Sequence, residues 1–282
     1  MKQIIYTLIF LISFSFQAQK TKIKVNKNPD KVLYKEIDTI KLYLHIYKPK
    51  DFDASKTYKS IVFFHGGGWN KGNYKAFQRQ ASYLASRGMI AISADYRLFN
   101  IHKTSPFEAV EDAKSAIRFV RKNAEKLHID ATQIAAGGGS AGGHLAAACG
   151  NIEGLEGKNE DVSISSKPNA LVLFNPVYDN SKRGYGFRKM KGRYLEISPL
   201  HNITKNAPPT IVFFGTADKT TPVISSKEYE QKMKDVGSRI DLHLYKDAPH
   251  SFFNRGEYFF DTLKKTDQFL ESLGYLKGKP TL

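Results

Sequence analysis

A serine hydroxyl becomes a nucleophile only with a base beside it, a carboxylate behind that base and donors for the charge it creates. Residues of these types stand at the ends of short apolar runs in this chain. Ser140 is the centre of Gly138-Gly139-Ser140-Ala141-Gly142, a G-x-S-x-G pentapeptide. The strand-like run Gln133-Ile134-Ala135-Ala136-Gly137 precedes it, and the Ala-rich, helix-prone run from Gly143 to Cys149 follows. A strand that turns sharply into a helix holds such a serine in a strained, exposed conformation. Glycines two residues to either side remove side chains that would clash there. Small residues are common wherever a strand gives way to a helix, so the pentapeptide alone is a weak signal.

Its partners must come from elsewhere. Three histidines follow the elbow: His201, His243 and His250. His243 falls inside an alternating strand and His201 in an irregular loop. His250 follows the last strand through Lys246-Asp247-Ala248-Pro249, and is the expected base. The buried run Thr210 to Phe214 leads through Gly215-Thr216-Ala217 into Asp218, the expected carboxylate. Asp179 is the runner-up, and Asp247, so near His250, reads as a turn former. A further element of the array is His65-Gly66-Gly67-Gly68, which ends another apolar run. Glycines let a backbone turn its N–H groups toward an oxyanion, where each donor is worth roughly 3–4 kcal/mol of transition-state stabilisation. The N–H groups of Gly67, Gly68 and Ala141 are the expected donors. A phosphate cradle would need Lys-Ser/Thr or a further spaced glycine, and Trp69-Asn70-Lys71 supplies neither.

The elements that must position these groups follow from periodicity. Residues 31–37 and 41–47 read as two strands of an antiparallel hairpin. From Ser60 onward, continuous apolar runs (61–64, 89–94, 133–137, 170–174 and 210–214) alternate with helical segments (74–87, 107–122, 223–236 and 258–273). This alternation predicts an α/β fold: a mostly parallel central sheet, helices on both faces and the N-terminal hairpin at one edge. Loops after parallel strands converge at one edge, which is where Ser140, Asp218, His250 and the glycine run fall. The polar stretches 151–168 and 175–209 read as insertions over those strand ends.

Taken together, several motifs resemble those of the α/β-hydrolase superfamily. They are His65-Gly66-Gly67-Gly68-Trp69, Asp95-Tyr96-Arg97-Leu98, Phe107 to Asp112, the serine elbow, Gly215-Thr216-Ala217-Asp218 and Pro249-His250-Ser251-Phe252-Phe253. The chain is similar to the esterase branch with an HGGG oxyanion motif, which includes hormone-sensitive-lipase-like enzymes and bacterial carbohydrate acetyl or feruloyl esterases. The resemblance covers about residues 31–275. It implies the chain order nucleophile, acid, base, in agreement with Ser140, Asp218 and His250. It also implies a structural role for Asp95-Tyr96-Arg97 and Glu111-Asp112. Trp69 after the glycines is similar to the residue found in feruloyl and acetyl esterases and kynurenine formamidase.

The expected activity is that of a serine carboxylic-ester hydrolase working through an acyl-enzyme. It would remove short acyl groups, acetyl above all, from a carbohydrate or small ester. An arylformamidase and a prolyl-oligopeptidase-like peptidase are alternatives, and a binding protein on a hydrolase scaffold is the alternative outside enzymes. The insertion Lys182 to Tyr194 carries aromatic and basic residues and no acidic one. Trp69, Tyr185 and Arg188 are therefore the expected substrate contacts, with an acidic polysaccharide a candidate partner.

The 282 residues carry a formal net charge of +16. No zinc-finger, homeodomain or RNA-recognition signature accompanies that charge, so nucleic acid is not an expected partner. One cysteine, Cys149, excludes a disulfide within the sequence. No metal-ligand spacing is visible, and this chemistry requires neither metal nor cofactor. Ile4 to Phe16 is an apolar run behind Lys2, sized for a signal-peptide core and short for a membrane span. The expected organisation is a signal peptide over 1–18, a flexible basic lead-in over 19–30, a catalytic domain over 31–275 and a tail over 276–282. Export to the periplasm or medium without a stable membrane anchor follows from it.

Overall fold

The computed structural model describes residues 23–282, so the signal-peptide expectation lies outside the described residues. Eight strands form one sheet: β1 (Asp30–Ile37), β2 (Ile40–Tyr47), β3 (Tyr58–Phe64), β4 (Ile90–Ala94), β5 (Ile129–Gly139), β6 (Ala170–Phe174), β7 (Thr210–Gly215) and β8 (Ile240–Tyr245). Their spatial order is β1-β2-β4-β3-β5-β6-β7-β8. The pairs β1–β2 and β2–β4 are antiparallel, and every pairing from β4 to β8 is parallel. The expected hairpin thus extends the parallel sheet at one edge.

The helices are α1 (Gln78–Ser86), the single turn α2 (Phe99–His102), α3 (Pro106–Lys122), α4 (Ala141–Asn151), the single turn α5 (Tyr194–Ile197), α6 (Val223–Asp235) and α7 (Gly256–Ser272). The helix expected from Tyr74 begins as a 3-10 turn, Tyr74–Phe77, capped by the Asn73 side chain. Start signals are clearest at α3. Ser105 and Glu108 form a reciprocal capping box and Pro106 occupies the first turn.

Side chains alternate across the pleat and divide the core in two. Val62, Phe64, Ile92, Leu173 and Phe214 point to the layer of α3, α4 and α6. Ile61, Phe63, Ala91, Val172 and Phe213 point to the layer of α1 and α7. Because both faces are covered, the central strands are continuous apolar runs rather than alternating ones.

The chain passes from β3 outward to β4, then back across to β5 on the other side of β3. The segments leaving β3 and β5 therefore diverge to opposite faces, toward α1 and α4. Such a divergence opens a crevice at the carboxyl ends of the two strands.

Two expectations are corrected. The stretch 151–168 follows α4 back to the amino-terminal edge of the sheet, remote from the crevice. There it ties to α3 through Lys114 and Arg118, which meet Glu156 and, for Arg118, Glu160. The lead-in is docked rather than free where it is described: the Asn26 N–H donates to Ser82 Oγ at 3.0 Å, and Gln78 donates to the Asn26 carbonyl at 2.7 Å. The tail is also held. Leu276 is buried, and Arg87 donates to the carbonyls of Lys277 and Gly278. In both cases the polar sequence conceals main-chain bonds to α1, which composition does not record.

Candidate active site

Strand β5 ends at Gly139 and α4 begins at Ala141, so one residue makes the turn. Ser140 adopts φ 55°, ψ −121°, a conformation that β-carbon sterics disfavour. Its own main chain locks the turn. The Ser140 N–H donates to Phe174 at the end of β6 (2.9 Å), and its carbonyl accepts from His144 (3.0 Å) and Val177 (3.2 Å). The flanking glycines are required by close approach. A β-carbon on Gly142 would lie 2.0 Å from the Phe64 carbonyl oxygen, and one on Gly138 would lie 2.5 Å from the Gly142 backbone. The first turn of α4 is thereby pressed onto the end of β3.

The structure brings Ser140, His250 and Asp218 together from three separate strand ends. His250 Nε2 is 3.0 Å from Ser140 Oγ, and His250 Nδ1 is 2.6 Å from Asp218 Oδ2. The carboxylate of Asp218 is fully buried and the imidazole partly exposed. Asp218 also accepts from Asn175 Nδ2 (2.8 Å), Thr221 Oγ1 (2.8 Å) and the N–H groups of Thr220 and Thr221 (2.8 and 3.0 Å). Burial works against its charge, but the His250 and backbone hydrogen bonds outweigh it and hold the carboxyl below its usual range. Asp218 is thus an anion fixed in direction. It fixes a proton on His250 Nδ1 and leaves Nε2 to accept from the serine.

The alternatives are engaged elsewhere. Asp179 accepts from the Ser181 N–H and shapes its own loop. His201 bonds Ser198, His243 stacks on Phe213, and Asp247 forms a turn held by Thr216.

The loop after β3 forms the facing wall. His65 is buried and its ring stacks on Tyr96 at 4.4 Å. Burial lowers its pKa, so the ring is neutral. In the tautomer protonated at Nδ1, it donates to the Gly66 carbonyl at 2.7 Å. In a trans peptide the next N–H points opposite to that carbonyl, so His65 sets the direction of the Gly67 N–H. The Gly67 carbonyl accepts from Asn70 (3.1 Å) and Lys71 (3.3 Å), which orients the Gly68 N–H in the same way. Gly67 and Gly68 have φ of 119° and 63°, values open to glycine at low cost. Ala141 opens α4, so its N–H has no intrahelical acceptor.

Together these walls enclose a cleft of about 480 Å³ lined by Gly66, Gly67, Ser140, Tyr185, His250 and Phe253, among others. Gly68 and Ala141 are not part of its lining. Gly68 instead packs beneath the Tyr185 hydroxyl, 2.8 Å from where a β-carbon would stand.

Two of the expected substrate contacts are displaced. Trp69 is buried rather than open to the cleft; its indole packs edge-on against His144 at 5.0 Å and against Tyr185 at 5.7 Å. Its backbone, at φ 61°, turns the side chain under the loop. Arg188 is exposed and does not line the cleft, whereas its neighbour Lys189 reaches the Gly68 carbonyl (2.8 Å) and Asn70 Oδ1 (3.0 Å). Tyr185 does line the cleft. The expected reading did not single out Asn175 or Thr221, and it grouped Lys189 with the basic residues of the insertion rather than with the glycine loop. Asn175 had a usable signal, because it follows a buried strand directly, and Asp218 stands within three residues of the end of the next one.

A hydroxyl bonded to an imidazole whose far nitrogen is held by a carboxylate can shed its proton as it attacks an electrophilic carbon. Comparison with known proteins points to the same chemistry. The BD-FAE family model matches residues 44–182, and the dienelactone hydrolase family model matches residues 179–277. The structure of Thermogutta terrifontis esterase 2 phosphorylated by paraoxon superposes with a TM-score of 0.85 at 40% identity, covering 90% of this chain and 97% of that one. Esterase LipC of Mycobacterium tuberculosis is 30% identical over 237 residues, 74% of this chain and 56% of the relative. An acetylxylan esterase of Xylanibacter ruminicola is 26% identical over 240 residues, 79% of this chain and 46% of the relative. The chain spans about half the length of these curated relatives.

Proposed function

Because the chain belongs to the α/β-hydrolase esterases, we propose that it is a serine carboxylic-ester hydrolase that releases short acyl groups from a carbohydrate or small ester. The observation that carries this reading is the continuous line from Ser140 Oγ through His250 to Asp218, at 3.0 and 2.6 Å. In the proposed reaction Ser140 Oγ attacks the acyl carbon as its proton passes to His250 Nε2. The carbonyl oxygen gains the electron pair and is met by the N–H of Gly67, with those of Gly68 and Ala141 the further proposed donors. Collapse breaks the ester C–O bond, and the alkoxide leaves with the proton held by His250. Water then repeats the sequence on the acyl-enzyme and frees the acid and Ser140.

We place the acyl group against Phe77 and Phe253, two apolar rings that line the cleft beside Ser140. Structures of Thermogutta terrifontis esterase 2 with propionate and with butyrate bound favour a short acyl group. The acetylxylan esterase relative supports a carbohydrate on the alcohol side.

The test is a panel of acetyl, butyryl and octanoyl p-nitrophenyl esters beside acetylated xylan, run with the wild type and Ser140→Ala. The expected result is a preference for acetyl and butyryl esters, with kcat lost by roughly 10⁶-fold in Ser140→Ala. Paraoxon should add its phosphoryl group at Ser140 in the folded wild type. Turnover that survives in Ser140→Ala would remove the mechanism, and an octanoyl optimum would remove the short-acyl assignment.

A further inference from the structure

A second cavity, of about 330 Å³, lies on the other side of the oxyanion loop from the cleft. Trp69, Asn70 and Lys189 line it where it meets the glycine loop, Lys189 through its bond to the Gly68 carbonyl, and none of the three lines the cleft. Phe99, Lys103 and Thr104 come from the segment after β4, and Lys191 closes it from the insertion before β7. Its volume lies in the range of small-molecule sites. No carboxylate lines it, but three ammonium groups do. Lys103 and Lys189 donate only to carbonyl or amide oxygens among the described residues, and Lys191 pairs with no acidic group there.

Three further observations point to a ligand. Lys103 and Lys191 both hold left-handed backbone, at φ 57° and 48°, where glycine or asparagine would sit at lower cost. Thr104 Oγ1 and Trp69 Nε1, both from lining residues, are buried without a hydrogen-bond partner among the described residues, as few buried polar atoms are. Phe99 is 52% exposed beside the cavity, with the Lys103 ammonium 5.7 Å from the centre of its ring, so an apolar ring and a cation are presented together to a ligand.

We infer that this cavity is a subsite for a carboxylate-bearing sugar, one unit removed from the ester-bearing unit in the cleft. Ammonium groups of Lys103 and Lys191 would meet the carboxylate, the Phe99 ring would meet the C–H face of the pyranose, and Thr104 and Asn100 would meet its hydroxyls. Lys189 stands between the subsite and the oxyanion loop, so a filled subsite adjoins the group that braces Gly68. The inference rests on the esterase reading of the adjacent cleft and specifies the alcohol side of its substrate.

Direct binding tests it without ester hydrolysis. Unesterified digalacturonate, neutral xylobiose and inorganic sulfate are titrated by calorimetry at constant low ionic strength into the whole protein. The same is done with the double variant Lys103→Ser/Lys191→Ser and with Lys232→Ser/Lys234→Ser, which removes equal charge from the exposed face of α6. Thermal melts establish that both variants fold. The expected result is binding of digalacturonate roughly tenfold or more tighter than xylobiose. That advantage should be lost in the Lys103/Lys191 variant and kept in the Lys232/Lys234 variant. Equal loss in both variants would reduce the effect to overall charge and overturn the subsite. So would sulfate binding as tightly as digalacturonate, or a wild type that does not distinguish the two sugars. Hydrolysis of p-nitrophenyl acetate without uronate binding refutes the subsite alone, whereas uronate binding without any hydrolysis refutes the esterase reading.

Discussion

The ammonium of Lys189 donates to the Gly68 carbonyl oxygen at 2.8 Å, across 121 positions of sequence. It also bonds Asn70 Oδ1 and lies 5.6 Å from the centre of the Trp69 ring. The insertion between β6 and β7 thereby braces the glycine loop after β3 from outside, while His65 braces it from within. Burial lowers the Lys189 pKa, so this amine already carries a desolvation cost that only its bonds offset. Lys189→Met should lower kcat on a small acetyl ester by roughly tenfold with little change in KM, since the oxyanion donors proposed for this loop would act chiefly on the transition state. Lys189→Arg should recover part of the loss. Steady-state kinetics on both variants decide it, and a kcat unchanged in Lys189→Met would mean that His65 and the glycine turn hold the loop unaided.

Asp218 offers a second prediction because its hydrogen bonds are so complete. Asp218→Asn keeps the size of the group but reverses the polarity of the atom facing His250, which favours the wrong imidazole tautomer. A fall in kcat of roughly 10⁴-fold with the fold retained is expected. The carboxyl is held below its ordinary value of 3.8. A depressed acid contributes stability above its unfolded pKa, and that contribution is lost as pH falls through the folded one. The wild type should therefore lose stability below about pH 4 more steeply than Asp218→Asn. Urea midpoints across the acid range measure this, and parallel curves would show that the array contributes nothing to stability.

The strands and the chain order of Ser140, Asp218 and His250 were legible in the sequence for a physical reason. Strands buried on both faces are continuous apolar runs, and a polar residue directly after one of them stands at the sheet edge. The glycines were legible because few other residues tolerate their approach distances. The misplaced readings share a different cause. Trp69, Arg188 and the stretch 151–168 belong to loops, and neither the direction of a loop side chain nor the sheet edge to which a loop returns is written in local periodicity. Lys189 and Arg188 are adjacent and chemically alike. Only the 3-10 turn at Phe187–Met190 decides which of them faces Gly68. The main-chain bonds holding the lead-in and the tail to α1 are invisible to composition in the same way.

The contact of α4 with β3 can be tested by one methyl group. Gly142→Ala would put its β-carbon 2.0 Å from the Phe64 carbonyl oxygen and 2.5 Å from that of His65. Both are backbone atoms of the central strand and its exit, and neither can rotate away. Overpacking against backbone here should cost about 3 kcal/mol or more and shift Ser140 away from His250. Urea denaturation gives the stability, and the ratio of kcat to the wild-type value in the folded fraction gives the displacement. A variant of wild-type stability would show that the elbow can move off β3, which the register of Phe64 with Gly138 argues against.

His144 lies one helical turn from Ser140, whose carbonyl accepts from its N–H. It is fully buried in α4, where Nε2 donates to the Ile197 carbonyl at 2.8 Å and Nδ1 has no partner among the described residues. Burial pushes its pKa down to about 4. In the unfolded chain the ring takes up its proton near the ordinary value of 6.5. Above that value neither state is protonated and the group is silent. Between the two values only the unfolded chain gains a proton, so stability falls with pH, by about 3 kcal/mol in all. Below the lower value the loss is complete. His144→Gln keeps a donor for Ile197 and cannot titrate. The variant should be less stable than the wild type near neutrality through imperfect packing against Trp69, and the gap should narrow by about 3 kcal/mol as the pH approaches the lower value. Chemical denaturation of both proteins over that range measures the gap directly. A gap independent of pH would mean that the buried ring stays protonated or that water reaches Nδ1, and the packing of Trp69 on His144 would then need another explanation.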